Sequence, residues 1–480
     1  MKYFRTNSRF LLLLFVFVLI SVATAETKRP NIDEGWFLSP VVNLVKHGYM
    51  GTSVIEEAGT PYVGINSRTY WMPPASFIFG SVWASVAGFS FFAMRLTSLF
   101  WALIALVSLY SVSETLSRDK KTALLSSGFM ACNYVFIQSS ADIRMDMMCM
   151  GLMVAALAVY LRFRDRAFFA SVLAAESLVL LSGLTHPHGL ISFIVLHIFI
   201  LGLDAKKISI RLFMAVTGIY LAGGLLWLAY ILPGYDMFRA QFFANVTGRY
   251  SGTGLFSLVI TELQQRYFEM FGLKAGSGLA AKIKIYAFVC YIFFFIAFPF
   301  TSSFRKQKEM KLIYLSLLAV LCFLTFQPNK AQFYLVTPLP FIAIAGAVVC
   351  MELSVKISRI LLIPAIGLFM AVQLLSSFNV LVKNEFRKSF LPVADLVRTL
   401  SPEKVAASSE FDFATDFDGR VKDDPSLGFF SGRVPDMVII DKRYKDLMEN
   451  DTGNIREYKQ KLISGMRQTF SNNLYTIYVR

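Results

Sequence analysis

The stretch Pro30-Asn31-Ile32-Asp33-Glu34-Gly35-Trp36 opens a polar loop that ends with Asn66-Ser67-Arg68-Thr69-Tyr70-Trp71-Met72-Pro73-Pro74. This first loop, residues 26–74, follows one apolar segment and precedes all the others. A loop of about fifty residues is far longer than an ordinary connection, and such loops are functional or disordered. Because this one is rich in aromatic residues, glycine and proline, the sequence favours order. We therefore look for chemistry on its adjacent carboxylates, Asp33 and Glu34.

The composition is typical of a membrane protein. Of 480 residues, 55% are hydrophobic and only 16% are charged, with a mean hydropathy of +0.55. A soluble domain is nearer a quarter charged, roughly. Apolar runs of about eighteen residues or more recur, which is the length that spans a bilayer. Because every backbone group in hydrocarbon must be hydrogen-bonded internally, we predict that these runs are helices.

The positive net charge follows the predicted topology. The formal charge is +15, and the basic residues cluster in every second short loop, as in Arg118-Asp119-Lys120-Lys121 and Arg162-Phe163-Arg164. Cytoplasmic loops of membrane proteins have this excess of lysine and arginine. We therefore read the basic residues as contacts with membrane lipids and predict no nucleic-acid partner. The five cysteines lie in or beside apolar runs and predict neither a disulfide framework nor a zinc motif.

About eleven transmembrane helices are predicted, with the N-terminus in the cytoplasm and the C-terminus outside. The predicted spans are residues 10–22, 91–116, 122–137, 145–161, 167–184, 189–203, 212–232, 283–300, 312–326, 333–351 and 360–378. The first span resembles a signal peptide, but we favour an uncleaved anchor because the loop after it needs a tether. Residues 75–88 are predicted to be interfacial. Residues 233–282 form a second outer loop.

The composition becomes that of a soluble domain after residue 383. We predict a membrane domain at residues 1–383 and a small α/β domain at 384–480. Short apolar runs bounded by turn residues predict strands at 404–408, 437–441 and 474–479, with helices at 391–400 and 456–464. The expected fold is a polytopic all-α membrane protein with a small C-terminal α/β domain on the outer side.

Most unusual polar residues fall at the predicted outer ends of the spans. Asp33 could act as a general base at a water–lipid boundary, or the Asp33-Glu34 pair could be a solvated start of the loop. Asp142 and Asp146 are four residues apart, so they would share one face if a helix begins there, with Arg144 pointing elsewhere. The alternative is a helix N-terminus that favours acidic residues.

Three other outer features allow two interpretations each. His186-Pro187-His188 could supply metal ligands, but two histidines without a third ligand favour a polar turn. Lys330 could anchor the chain at the membrane surface or bind a phosphate. The aromatic residues Trp36, Tyr70 and Trp71 could form an interfacial belt or a surface on which a sugar stacks.

Five stretches in this order resemble the GT-C glycosyltransferases, in particular bacterial relatives of protein O-mannosyltransferases and of the aminoarabinose transferases that modify lipid A. They are Asp33-Glu34-Gly35-Trp36, Tyr70-Trp71-Met72-Pro73-Pro74, residues 88–95, Arg144-Met145-Asp146 and Lys330-Ala331-Gln332-Phe333-Tyr334-Leu335. The resemblance covers most of residues 1–378. One departure matters: the aminoarabinose transferases have a lysine that binds the donor phosphate where this chain has Met72, so the aminoarabinose substrate is not carried over.

The resemblance implies a reaction and roles for these residues. A sugar on a polyprenyl phosphate would be transferred, with inversion, to a hydroxyl of a lipid, glycan or protein at the periplasmic face of the bacterial inner membrane. Asp33 would be the base and Glu34 would orient the site. Arg68, Arg144, Arg249 and Lys330 are candidates for the donor phosphate, and Trp36, Tyr70, Trp71, Asp142, Asp146 and Tyr334 for the sugar or acceptor. No cofactor is assigned, and a divalent metal stays open.

Two other functions remain open at the level of sequence. A transporter for a lipid or glycolipid would place coupling carboxylates near the membrane midplane. The predicted spans hold few acids, chiefly Glu176, and the acids lie at the outer rim instead. A polysaccharide polymerase or ligase at the periplasmic face would also be an enzyme, but with a lipid-linked glycan as donor.

Overall fold

The computed structural model describes residues 8–246, 254–269 and 284–480, and these are mostly helical. The α-helices are α1 (Ser8–Thr27), α2 (Ile32–His47), α3 (Ala75–Ala87), α4 (Phe91–Ser117), α5 (Lys120–Cys132), α6 (Tyr134–Ser139), α7 (Met145–Phe163), α8 (Phe168–Gly183), α9 (Gly189–Asp204), α10 (Ile210–Ile231), α11 (Tyr235–Val246), α12 (Leu255–Thr261), α13 (Lys284–Ala297), α14 (Ser302–Lys306), α15 (Lys308–Phe326), α16 (Leu339–Lys356), α17 (Arg359–Lys383), α18 (Leu391–Leu400), α19 (Lys442–Asn450) and α20 (Gly453–Ser464). The strands are β1 (Val405–Ala406), β2 (Val421–Lys422), β3 (Met437–Ile440), β4 (Arg467–Ser471) and β5 (Thr476–Val479).

The predicted helical membrane domain is confirmed. Within the described ranges, eight helical segments are long and apolar enough to cross a bilayer, and they coincide with eight of the predicted spans. Two further predicted spans correspond to the shorter apolar helices Phe168–Gly183 and Lys284–Phe300. The apolar side chains of these helices pack into one large core. The total of about eleven spans and their orientation stay predictions.

The predicted span at residues 122–137 is two helices, α5 and α6, because the chain bends at Asn133. The Asn133 side chain caps α6 by accepting a hydrogen bond from the Phe136 amide at 3.0 Å. Its amide nitrogen donates to the Tyr291 hydroxyl at 2.7 Å and to the Gln373 side chain at 2.8 Å. A break at membrane depth needs such internal partners, because lipid offers none.

The first loop begins as a helix, which the sequence analysis did not predict. Helix α2 starts with a capping box: Asn31 is the N-cap, and the Glu34 carboxylate accepts from the Asn31 amide at 3.0 Å. Pro40 lies inside α2, and proline inside a helix normally argues against one. Gly48 ends the helix with φ of 74°, a left-handed conformation that favours glycine. Asp33 and Glu34 therefore occupy the first turn of a helix.

The second outer loop is also partly helical and packs against the first. Gln241 on α11 donates to the backbone oxygens of Val63 at 2.9 Å and Arg68 at 3.0 Å. Its oxygen accepts from the Tyr70 amide at 2.7 Å. This buried side chain thus helps to join the two loops that the sequence analysis treated as separate.

The C-terminal residues form the small sheet that the sequence predicts. Its strand order is β2-β1-β3-β5-β4, with β2, β1 and β3 parallel and β5 antiparallel to both of its neighbours. Three strands and two helices were predicted at nearly the observed positions. Strands β2 and β4 and helix α19 were missed. The boundary at residue 383 stays a prediction.

The sheet packs directly on α2 and the first loop. The apolar residues of the two regions form one core. The Trp36 indole donates to Asp423 at 2.8 Å, just after β2. Gly35 permits this approach, since a Cβ there would lie 2.4 Å from the Ser409 carbonyl oxygen. The C-terminal region is therefore a support for α2, and hence for Asp33.

A buried carboxyl beside this interface makes stability depend on pH. Burial, aided by the nearby Asp441 and opposed by Arg29, raises the pKa of Glu410 from 4.5 to about 8. Between these two values the folded protein binds more protons than the unfolded chain, so stability falls as pH rises. We expect a loss on the order of 1.4 kcal/mol per pH unit in this window from Glu410.

Thermal unfolding measured from about pH 5 to pH 8, the window of the expected effect, tests this pH dependence of stability. Glu410→Gln is neutral at every pH and should flatten the dependence. Glu403→Gln is the matched control, since Glu403 is exposed and should leave the slope unchanged. An equal slope in wild type and Glu410→Gln would contradict the assignment.

Candidate active site

A polar cavity of about 260 Å³ lies where α2 meets the segment before α7. Asp33, Asp142 and Arg144 line it, together with Lys28, Asn31, Ile32, Val135, Gln138, Ser139, Gln332 and Phe333. The cavity brings together three of the predicted site residues from two distant parts of the sequence. The lining therefore contains two carboxylates, Asp33 and Asp142, and two basic side chains, Lys28 and Arg144.

Asp33 faces this cavity and pairs with Arg144. Its side chain is 27% exposed, whereas that of Arg144 is 5% exposed. One terminal nitrogen of Arg144 donates to Asp33 Oδ2, and its Nε donates to Asp146 Oδ2 at 2.8 Å. The guanidinium lies 3.3 Å from the centroid of the Phe333 ring. Arg144 is thus held by two carboxylates and a ring, and it fixes one oxygen of Asp33.

Two details of the sequence analysis are wrong here. Helix α7 begins at Met145 with Arg144 as its N-cap, so Asp142 lies before the helix and shares no helical face with Asp146. Arg144 points toward both Asp33 and Asp146, whereas the sequence analysis had it pointing elsewhere. The predicted start of the span at residue 145 agrees with α7, so the condition for a shared face, a helix that already includes Asp142, is not met.

Asp142 is a buried member of the cavity wall. Lys28 donates to its Oδ1, and the Asn31 side chain does so at 3.4 Å. Burial raises the pKa of Asp142, and the Lys28 ammonium opposes this shift. Lys28 was not singled out in the sequence because it is one of several basic residues near an end of the first span.

Glu34 lies behind the cavity rather than in it. Both of its oxygens accept from Arg95, at 2.7 and 2.8 Å, and both side chains are fully buried. Glu34 also accepts from the Ile143 amide at 3.2 Å. Arg95 donates in turn to the Ala25 and Lys28 carbonyl oxygens, at 2.7 and 3.0 Å. Glu34 therefore does not line the cavity, and its contacts join the start of α2 to the end of α1 and to the segment before α7. Its part in orienting the site stays a prediction.

The aromatic residues Trp36, Tyr70 and Trp71 pack against one another and against neighbouring elements. Tyr70 and Trp71 are buried, and Trp71 stacks on Phe37 with ring centroids 5.4 Å apart. Trp36 meets Trp71 edge-on at 5.9 Å and is bonded to Asp423. None of the three lines the cavity. Trp36 on α2 is bonded to the C-terminal region, and Tyr70 and Trp71 are buried at the end of the first loop.

The other predicted phosphate ligands are dispersed. Lys330 is buried, and it pairs with Glu262 at 3.0 Å and donates to the Thr325 carbonyl oxygen at 2.6 Å. Arg266 lies 3.4 Å from the same carboxylate and was missed as a candidate. Arg68 contacts the Tyr70 hydroxyl at 3.4 Å and does not line the cavity. Arg249 lies outside the described residues.

His186, His188 and Tyr334 are buried together beside Asp146. The two histidines lie in the turn between α8 and α9, with ring centroids 4.4 Å apart. The Tyr334 ring is 4.3 Å from His188. Burial lowers the pKa of His188 well below its ordinary value. One ligand atom of each histidine and one of Asp146 lie within 4.8 Å of one another, so the residues present fit a divalent ion.

An apolar groove of about 320 Å³ adjoins the polar cavity, and Val135 lines both. Its other lining residues are Asn133, Tyr134, Leu263, Tyr267, Phe288, Tyr291, Ile292, Phe295, Leu317, Leu321, Leu335, Pro338, Leu339 and Ile342. They belong mainly to α13, α15, α16 and the helical turn that contains Leu263. The groove therefore leads from the membrane helices toward Asp33.

Solved structures show what this fold resembles. ArnT from Cupriavidus metallidurans bound to undecaprenyl phosphate matches with a TM-score of 0.63 and 13% identity, over 98% of this chain and 97% of ArnT. The Archaeoglobus fulgidus oligosaccharyltransferase in complex with Zn and sulfate matches with a TM-score of 0.57 and 12% identity, over 97% of this chain and 73% of the oligosaccharyltransferase. AglB from Archaeoglobus fulgidus, in complex with an inhibitory peptide and a dolichol-phosphate, matches with a TM-score of 0.54 and 12% identity, over 92% of this chain and 71% of AglB.

These similarities confirm the expected GT-C fold along nearly the whole chain. At 12–13% identity they concern the fold alone. No protein-family model and no curated protein sequence matches the chain.

Proposed function

We propose that this protein is a membrane glycosyltransferase that moves a sugar from a polyprenyl phosphate to an acceptor hydroxyl. The observation that carries the proposal is the meeting of the apolar groove with the charged cavity beside Asp33. A polyprenyl chain needs an apolar groove open to the bilayer, and its phosphate needs cations at one end. The ArnT and AglB structures hold undecaprenyl phosphate and dolichol-phosphate in the same fold.

Asp33 is the proposed base of this reaction. Arg144 binds its Oδ2, and Asp33 lines the cavity, so Oδ1 is the oxygen proposed to take a proton from the acceptor. As the hydroxyl oxygen bonds to C1 of the sugar, the bond from C1 to the phosphate oxygen breaks. The proton stays on Asp33, and the configuration at C1 inverts because attack comes from the side opposite the phosphate.

Cations near the junction would stabilise the departing phosphate. Negative charge grows on this group in the transition state, and fixed positive charges lower the barrier most where charge develops. Lys330 and Arg266 share a single carboxylate, Glu262, so this trio carries one net positive charge. Leu263 and Tyr267, on the same helical turn, line the groove. We propose this pair, together with Arg144, as the phosphate contacts.

The proposal also concerns the side of the membrane on which the cavity lies and the class of acceptor. The cavity and the C-terminal sheet lie together at the end that the basic loops predict to be periplasmic in a bacterial inner membrane. The acceptor is a hydroxyl of a lipid, a glycan or a protein. Because the sheet supports α2 rather than lining the cavity, its proposed part is to hold Asp33 in place.

A tryptophan in the groove provides a test of the donor site. Leu321→Trp on α15 should fill the groove that receives the lipid, and we expect at least about a ten-fold loss of donor binding, or 1.4 kcal/mol. The measurement is binding of a polyprenyl phosphate to protein in nanodiscs. Leu318→Trp is the matched control, because Leu318 is exposed on the same helix. Equal losses of donor binding in both variants would contradict the proposal that the groove binds the polyprenyl chain.

A further inference from the structure

Three side chains of metal-binding type converge near the Asp33–Arg144 pair. They are Asp146 in the first turn of α7, and His186 and His188 in the turn before α9. One ligand atom from each lies within 4.8 Å of the other two, and all three residues are buried. The sequence analysis found no third ligand for the two histidines. Asp146, which lies 40 residues before His186 in the sequence, supplies the third ligand.

Asp146 Oδ1 is a buried polar atom without a hydrogen-bond partner among the described residues. His188 Nε2 also has none in hydrogen-bond geometry, although the Gln327 side chain interacts with this ring. Leaving such an atom unpaired costs about 1–3 kcal/mol, so native proteins rarely do so without an ion or water. The other oxygen of Asp146 is held by Arg144 at 2.8 Å, which orients the carboxylate. Metal-binding carboxylates are commonly oriented by such a second bond.

The spacing suits an ion better than a direct hydrogen bond. His186 Nε2 and Asp146 Oδ1 are 4.0 Å apart, beyond hydrogen-bond distance. Two atoms each about 2.1 Å from a tetrahedral ion lie about 3.4 Å apart, so small side-chain movements close the site. His186 Nδ1 accepts from the His188 amide at 3.0 Å. Binding through Nε2 would move the His186 proton to Nδ1 and give up that contact.

We propose that Asp146, His186 and His188 bind one divalent transition-metal ion of the zinc class. Two imidazoles and one carboxylate suit zinc or cobalt, whereas calcium and magnesium prefer oxygen ligands alone. The ion joins α7 to the turn before α9. Through Asp146 it also holds Arg144, which contacts Asp33. The binding site stands apart from the proposed transferase function and is testable without it.

Metal content of the purified protein is the test, with a histidine-free affinity tag. The chain has four histidines, so the variants are few. After equilibration with zinc and dialysis, we expect about one bound ion per chain in wild type, as in one-site binding. His188→Gln should lose at least ten-fold in affinity, and His47→Gln, an exposed control on α2, should match wild type. Zinc retained by His188→Gln, or absent from wild type, would overturn the proposal.

A second measurement covers the case in which His188→Gln fails to fold. X-ray absorption of zinc or cobalt bound to the wild-type protein counts its imidazole ligands. Two imidazoles are expected. One or none overturns the site, and Asp146, His186 and His188 would then be a hydrogen-bonded cluster that only positions Arg144.

Discussion

Replacement of Asp33 by asparagine is expected to lower the rate of sugar transfer at least about a thousand-fold. Asparagine keeps the shape of the side chain and can still accept from Arg144, but it cannot take the proton of the acceptor. The loss should appear in the turnover rate, because the groove and the cations proposed to bind the donor are unchanged. Initial rates in lipid-reconstituted protein, with donor and acceptor saturating, provide the measurement.

Two controls accompany this variant. Asp446→Asn removes an exposed carboxylate of α19 that does not line the cavity, and it should keep the wild-type rate. The melting temperature of Asp33→Asn should stay near that of wild type, which separates loss of chemistry from loss of structure. Asp33 is not the proposed base if the asparagine variant is folded and still transfers sugar within ten-fold of wild type, about 1.4 kcal/mol in barrier height.

Replacement of Arg95 by alanine is expected to destabilise the folded protein by about 3–5 kcal/mol. Arg95 and Glu34 are both fully buried, and the arginine also donates to two carbonyl oxygens at the end of α1. Removing the guanidinium leaves a buried carboxylate without its counter-ion and frees the start of α2. Thermal or denaturant unfolding of the protein in detergent measures the loss.

The chain offers an exposed ion pair as the comparison. Arg398 donates to Asp395 at 2.8 Å on the surface of α18, with both side chains at least half exposed. Arg398→Ala should cost less than about 1 kcal/mol, since exposed pairs contribute little. Similar losses in Arg95→Ala and Arg398→Ala would show that the buried pair does not organise the first turn of α2.

The membrane helices could be predicted because the bilayer imposes length and composition on every span. The failures are local and have physical causes. Helix α2 was taken as a loop because Pro40 and a polar start are features of loops, whereas packing against the C-terminal sheet stabilises the helix. The break at Asn133 depends on partners more than 150 residues away, Tyr291 and Gln373.

The sequence predicted which residues meet at the cavity better than it predicted which side chains contact one another. Asp33, Asp142 and Arg144 do meet at one cavity, as expected from polar residues at one end of the spans. The ion pair between Arg95 and Glu34 was missed, although an arginine near the start of an apolar span is itself a signal. Trp36, Tyr70 and Trp71 do not line the cavity, and the sequence could not show this because aromatic residues serve buried packing and sugar stacking equally well.

The most direct test of the proposed function is release of free polyprenyl phosphate from a panel of polyprenyl-phosphate sugars. Wild-type protein in liposomes, with a mixture of lipid, glycan and peptide acceptors, is compared with Asp33→Asn. The proposal predicts that wild type releases polyprenyl phosphate from at least one donor and forms an equal amount of glycosylated acceptor, whereas Asp33→Asn does neither. Movement of an intact donor across the bilayer without release would contradict the proposal and identify a transporter.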